Sequence, residues 1–264
     1  YNRVLQSLGI TGRYGNLIEK IGGTGTFEQG LYGSSEMLID AFYQLYKSGV
    51  LKRKVYDSIP VMRLMNAGKL STEKIPEDII ELLLEIDGIQ PRLTVQDFKM
   101  LSEYGILKEG LEFKDGFILD GNTRVSADFS RSENIAAMQP LLGSQLKQGQ
   151  VILGAFFIGP RAFYEALNAM SEEERMQFGM SGVEKVNQLY GNEELRSLQR
   201  KDGRFVNAGM MANVFGAITS DALECGSRVS GIGGQYNFVS MAHALPDARL
   251  IMMIRSTRQC GNKV

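Results

Sequence analysis

A single histidine, His243, stands among 264 residues, and the only cysteines are Cys225 and Cys260. Any mechanism that needs a histidine base must use that one side chain or a water, which nearly removes Ser-His-Asp and zinc-hydrolase chemistry. No Cys/His cluster has metal-ligand spacing, so no metal is expected. Two thiols cannot supply the dense staples of a small secreted domain, and a reducing, cytoplasmic setting is the default expectation. An excess of charge is missing too: 29 Lys and Arg stand against 30 Asp and Glu. That balance leaves no electrostatic footprint for nucleic acid or an anionic membrane. No apolar run approaches the length of a membrane span. The start, Tyr1-Asn2-Arg3, has neither a Met nor a signal-peptide pattern. The end, Lys263-Val264, comes directly after a strand-like run and a loop. The chain is therefore expected to be a section of a longer product.

What is present is ordinary for a globular protein with a sizeable core: 44% hydrophobic and 22% charged residues, compatible with one large domain or one domain carrying an insertion. A glycine-dense stretch from Ile21 to Phe27 reads as a loop, and without a Gly-Lys-Ser/Thr ending it is not a P-loop. Ser34 and Ser35 suit a helix N-cap before Glu36–Tyr46, whose apolar residues at 38, 39, 42, 45 and 46 follow a helical period. From 57 to 148 the pattern changes to short amphipathic helices at 57–70, 76–86, 94–104 and 132–146, with strand-like runs around 106–119. Residues 150–157 read as a buried strand, 161–191 and 193–200 as helical, and 204–210 and 213–219 as strands. A glycine-rich loop at 226–234 then leads into a helix at 235–244 and a strand at 248–254. Strands alternating with helices predict an α/β domain, a layered open sheet with helices on both faces, plus a mainly helical insertion.

The segment Ser230 to Phe238 is the first place where chemistry could sit. Gly231, Gly233 and Gly234 permit positive φ and remove side chains, so a ligand can approach backbone amides at a helix N-terminus, which form a ready anion or oxyanion site. A strand-to-helix turn with glycines needed only for packing fits the same residues.

The segment resembles the signature of the acetyl-CoA hydrolase/CoA-transferase family, whose C-terminal domain carries a loop of the form Gly-x-Gly-Gly-Gln-x-Asp-Phe. Here Gly231, Gly233, Gly234, Gln235 and Phe238 stand in that register, with Asn237 where the family has Asp. Upstream, Asn207 to Asp221 resembles the family stretch that runs from an Asn through a Gly to an Asp, with Met211 in place of Glu and Asn213 in place of Asp. A second segment, Leu31 to Asp40 followed by Leu45 to Val50, resembles the family segment whose glutamate is the catalytic nucleophile, and by position that glutamate is Glu36. On physical grounds alone, a glutamate in a first helical turn offsets the macrodipole. Asn187, in the stretch Met180 to Leu189, falls where some members have an oxyanion-contacting asparagine. As a plain residue it also fits a helix cap or surface.

The resemblance covers residues up to about 50 and from about 150 to 257. It implies a CoA-transferase C-terminal-type α/β domain formed by residues 1–56 and 149–264, with residues 57–148 as an insertion. It further implies acyl-CoA and a small carboxylate as substrates, a missing N-terminal domain that shares the pocket, a homo-oligomer, and a glutamyl nucleophile that needs no histidine. Met211 and Asn213 motivate the alternative of a non-catalytic CoA or acyl-CoA-binding module of the same fold. His243 is expected to be a partly buried structural residue, and Cys225 to be an unreactive thiol.

Overall fold

The computed structural model describes residues 4–7, 27, 29–223, 225–231 and 233–257. The chain divides into two compact units, Tyr1–Arg53 with Gln150–Val264, and Lys54–Gly149.

The larger unit is built on a six-stranded sheet. Its strands are β1 (Val4–Ser7), β2 (Tyr32–Leu38), β6 (Ile152–Phe157), β7 (Phe178–Met180), β8 (Gly203–Ala208) and β11 (Arg249–Met253), in the order β11-β8-β1-β2-β6-β7. Every pairing is parallel. Parallel strands need crossovers, and helices supply them on both faces. Gly33 makes room for one: a Cβ there would come within 3.2 Å of Leu51 and 3.3 Å of Phe42. The helix Asp40–Lys47 thus covers the Gly33 face and buries Ala41, Phe42 and Leu45 against Leu38, Val151 and Ile152. Burying Phe42 or Leu45 stabilises by about 1.5–3 kcal/mol each. The helix Gln235–Ala244 packs on the opposite face, where Phe238 meets Phe205 of β8 at 6.3 Å between ring centroids. The α/β class with helices on both faces is the architecture observed.

Several elements differ from the sequence reading. Glu36 lies in strand β2, not in a helix, and the helix starts only at Asp40. Pairing with β1 on one edge of residues 32–38 and with β6 on the other outweighs a helical period that local propensity alone would favour. The run 161–191 is not one helix. Asn168 closes its first part, and a capping box, Ser171 accepting from Glu174 N and Glu174 from Ser171 N, opens a second helix, Glu172–Met176. Phe178–Met180 then joins the sheet beside β6. The run 213–219 is the end of a hairpin, β9 (Met211–Ala212) against β10 (Ile218–Thr219). The glycine-dense stretch before Phe27 lies outside the described residues.

The smaller unit holds the helices Ile59–Asn66, Ile79–Glu85, Val95–Glu103 and Ser132–Ala136, and an antiparallel meander of β3 (Glu112–Lys114), β4 (Phe117–Asp120) and β5 (Thr123–Ser126). Asp115 and Gly116, with φ of 50° and 75°, form the two-residue turn between β3 and β4, the pattern of a hairpin whose turn matches strand twist. Thr94 and Asp97 cap Val95–Glu103 reciprocally. The helix expected over 132–146 ends at Ala136 and is followed by a single tight turn, Gln139–Leu141, with Pro140 inside it.

Candidate functional site

Side chains alternate along a strand, so Tyr32, Ser34 and Glu36 share the face opposite Gly33. Glu36 is half-buried and stands third from the end of β2. Two elements of the larger unit converge on its carboxylate. Asn187, the last residue of the helix Val183–Asn187, donates from Nδ2 to Glu36 Oε1. Gly234, buried at the start of Gln235–Ala244, is so close that a Cβ on it would overlap the carboxylate. The carboxylate therefore sits at the positive end of a ten-residue helix, where backbone N–H groups and the macrodipole favour negative charge.

Asn187 is held by Arg200, which no sequence signal distinguishes. Arg200 is 1% exposed and donates to Lys185 O at 2.7 Å, Val186 O at 2.9 Å and Gln188 O at 2.8 Å. These carbonyls belong to the C-terminal turn of Val183–Asn187, where a helix leaves acceptors unpaired and a cation is favoured. Burial lowers the Arg200 pKa to about 9, a shift opposed by the neighbouring Tyr32. A five-residue helix has little stability of its own. Arg200 fixes its end, and with it the direction of the Asn187 amide.

Some polar atoms here are buried without a hydrogen-bond partner among the described residues: Asn187 Oδ1, Gln235 Oε1, Ser34 Oγ and both amide atoms of Asn207. The loop glycines behave unequally. None of Gly231, Gly233 and Gly234 has positive φ, and Gly231 and Gly233 are exposed, with open space where a Cβ would stand. Close approach of a protein group requires glycine only at Gly234. His243 is exposed, not partly buried, because it falls on the outer side of its helix. Cys225 is exposed, and Cys260 lies outside the described residues. The departures Met211 and Asn213 sit in the β9–β10 hairpin. There Asn213 Oδ1 accepts from Phe215 N and Ala217 N, both at 3.0 Å, and so builds the turn itself. Among the described residues no group of three or more His, Cys, Asp and Glu is placed to hold a metal, and no helix is long and apolar enough to cross a membrane.

Residues 159–264 match the family model of the acetyl-CoA hydrolase/transferase C-terminal domain. The matched stretch contains Asn187, Asn207 and Gly234, whereas Glu36 reaches the site from outside it. No curated protein matches the chain. Among solved structures, RipA from Yersinia pestis is similar at 15% identity and a TM-score of 0.47, over 100% of this chain and 36% of that one. A point mutant of RipA is similar at 15% identity and a TM-score of 0.49 over the same shares. The chain thus spans about a third of the length of these structures.

Proposed function

We propose that this chain, with an acetyl-CoA hydrolase/transferase C-terminal domain over residues 159–264, is part of an acyl-CoA:carboxylate CoA-transferase or acetyl-CoA hydrolase whose nucleophile is Glu36. The observation that carries the reading is the seating of the Glu36 carboxylate between the Asn187 amide and the helix start at Gly234. A carboxylate held at a helix N-terminus by a side-chain donor is oriented, as a nucleophile must be.

In this reading Glu36 attacks the thioester carbonyl of acyl-CoA, forming a C–O bond as the C–S bond breaks, and yields a mixed anhydride and CoA thiolate. The thiolate then attacks the glutamyl carbonyl, the anhydride C–O bond breaks, and the product carboxylate leaves a glutamyl-CoA thioester. An incoming carboxylate reverses both steps in a transferase; in a hydrolase, water resolves an intermediate. Each tetrahedral intermediate carries an oxyanion. The Asn187 Nδ2 group and the amides of Gly233 and Gly234 are the donors available, each worth about 3–4 kcal/mol in comparable sites. Gln235 opens the helix behind them, and Gly231 begins the loop. A preceding α/β domain of the same protein would complete the pocket, and a homo-oligomer fits the same reading.

The test is Glu36→Gln in the full-length protein, assayed for exchange between acetyl-CoA and a carboxylate. Ping-pong kinetics and a borohydride-sensitive thioester adduct are expected in the parent, and both vanish in the variant. Turnover that survives undiminished sinks the assignment. CoA binding in a parent protein that shows no turnover would favour the non-catalytic CoA-binding module instead.

A further inference from the structure

Asn207 is 1% exposed, and neither atom of its side-chain amide has a hydrogen-bond partner among the described residues. An amide stripped of water and left unpaired opposes folding, and such groups are rare enough in native proteins that each calls for a reason. Register supplies one. Val4 of β1 pairs with Tyr32 of β2 on one side and Gly203 of β8 on the other. Gln6 likewise pairs with Ser34 and with Phe205, and Glu36 and Asn207 each follow two residues on, so strand alternation puts them on the same face. Only β1 separates their strands. With neighbouring strands about 4.8 Å apart, two residues on either side of one strand have Cα atoms roughly 10 Å apart, within reach of one small substrate group held between their side chains.

The surroundings agree. Phe205, two residues before Asn207, packs on Phe238, so the helix that starts beside Glu36 also covers the Asn207 strand. The strand order shows the chain building outward from β1 to β7 and restarting at β8 on the other side of β1. The carboxyl ends of β1 and β8 therefore flank a topological switch point, where open α/β sheets bind ligands. Asn207 is the penultimate residue of β8.

We propose that Asn207 is a further substrate-binding residue, its side-chain amide hydrogen-bonding an oxygen of the acyl or carboxylate group that reacts at Glu36. The inference rests on the reading of Glu36 as nucleophile, and the experiment separates the two. Full-length Asn207→Leu, Asn207→Asp and Glu36→Gln are assayed with acetyl-CoA as donor and propionate as acceptor, alongside thermal unfolding. Asn207→Leu replaces an unpaired amide with an apolar group of similar size. Its Tm is expected to hold or rise, while kcat/KM for propionate falls roughly tenfold to a hundredfold, chiefly through KM. Asn207→Asp keeps the shape and adds a negative charge facing a carboxylate, so it loses more than Asn207→Leu at neutral pH. The inference is overturned if either variant keeps parental kcat/KM. It is also overturned if Asn207→Leu lowers Tm by more than about 4 °C and activity falls only with the folded fraction, since the amide is then structural. If Glu36→Gln retains turnover, the nucleophile reading fails, and this inference fails with it.

Discussion

Gly234 carries the steric constraint of the site, and the consequence is measurable one atom at a time. A Cβ at Gly234 would occupy the space of the Glu36 carboxylate, while one at Gly233 would meet nothing. Gly234→Ala is expected to push the carboxylate aside and lower kcat/KM by at least about a hundredfold, because a displacement of about an ångström costs that much in comparable sites. Gly233→Ala keeps its N–H and a permitted φ, so its kcat/KM is expected to stay close to the parent and its stability within about 1 kcal/mol. Steady-state kinetics and urea unfolding on the pair separate a steric role from a general need for glycine. Asn187→Ala removes a side-chain donor to Glu36 and is expected to cost on the order of a hundredfold in kcat.

At the scale of the element, Val183–Asn187 delivers the Asn187 amide yet depends on a side chain from outside itself. Arg200 satisfies three carbonyls around its C-terminal end. Arg200→Leu leaves those acceptors buried and unpaired, and a loss of about 2–4 kcal/mol in unfolding free energy is expected by urea titration. Loosening the helix end also frees the Asn187 amide, so kcat is expected to fall in protein that is still folded. A purely structural arginine would not produce that second effect. Strand β2 shows the complementary case. The serines before Glu36 suit a helix cap, yet pairing with β1 and β6 holds residues 32–38 extended and moves the helix start to Asp40.

On the scale of the whole molecule, stability should respond to alkaline pH through the unit Lys54–Gly149. Tyr56 and Tyr104 pack edge to face there at 5.9 Å. Burial pushes both phenols from 10.0 up to about 12, with Glu103 and Asp57 adding to the shift at Tyr104. The unfolded tyrosines ionise first as pH rises, so their contribution is fully present below pH 10 and is lost as pH climbs towards 12. Urea midpoints measured from pH 8 to 12 should fall through that window, and Tyr56→Phe should flatten part of the decline. The sequence by itself determined the α/β class, because the alternation of apolar strands and amphipathic helices is local and periodic. It likewise marked a strand at 150–157, which forms over Ile152–Phe157, and the helix at 235–244, where glycine-rich turns punctuate the chain. Through its resemblance it named Glu36, Asn187 and the glycine loop as a set. Only the tertiary structure decided that Gly234, not Gly231 or Gly233, lies against the carboxylate, that Glu36 is on a strand, and that Arg200 braces the end of the helix carrying Asn187. Those facts depend on parallel register between strands separated by more than a hundred residues in the chain. No local period or propensity encodes such long-range pairing, since it is fixed by the burial of a common core.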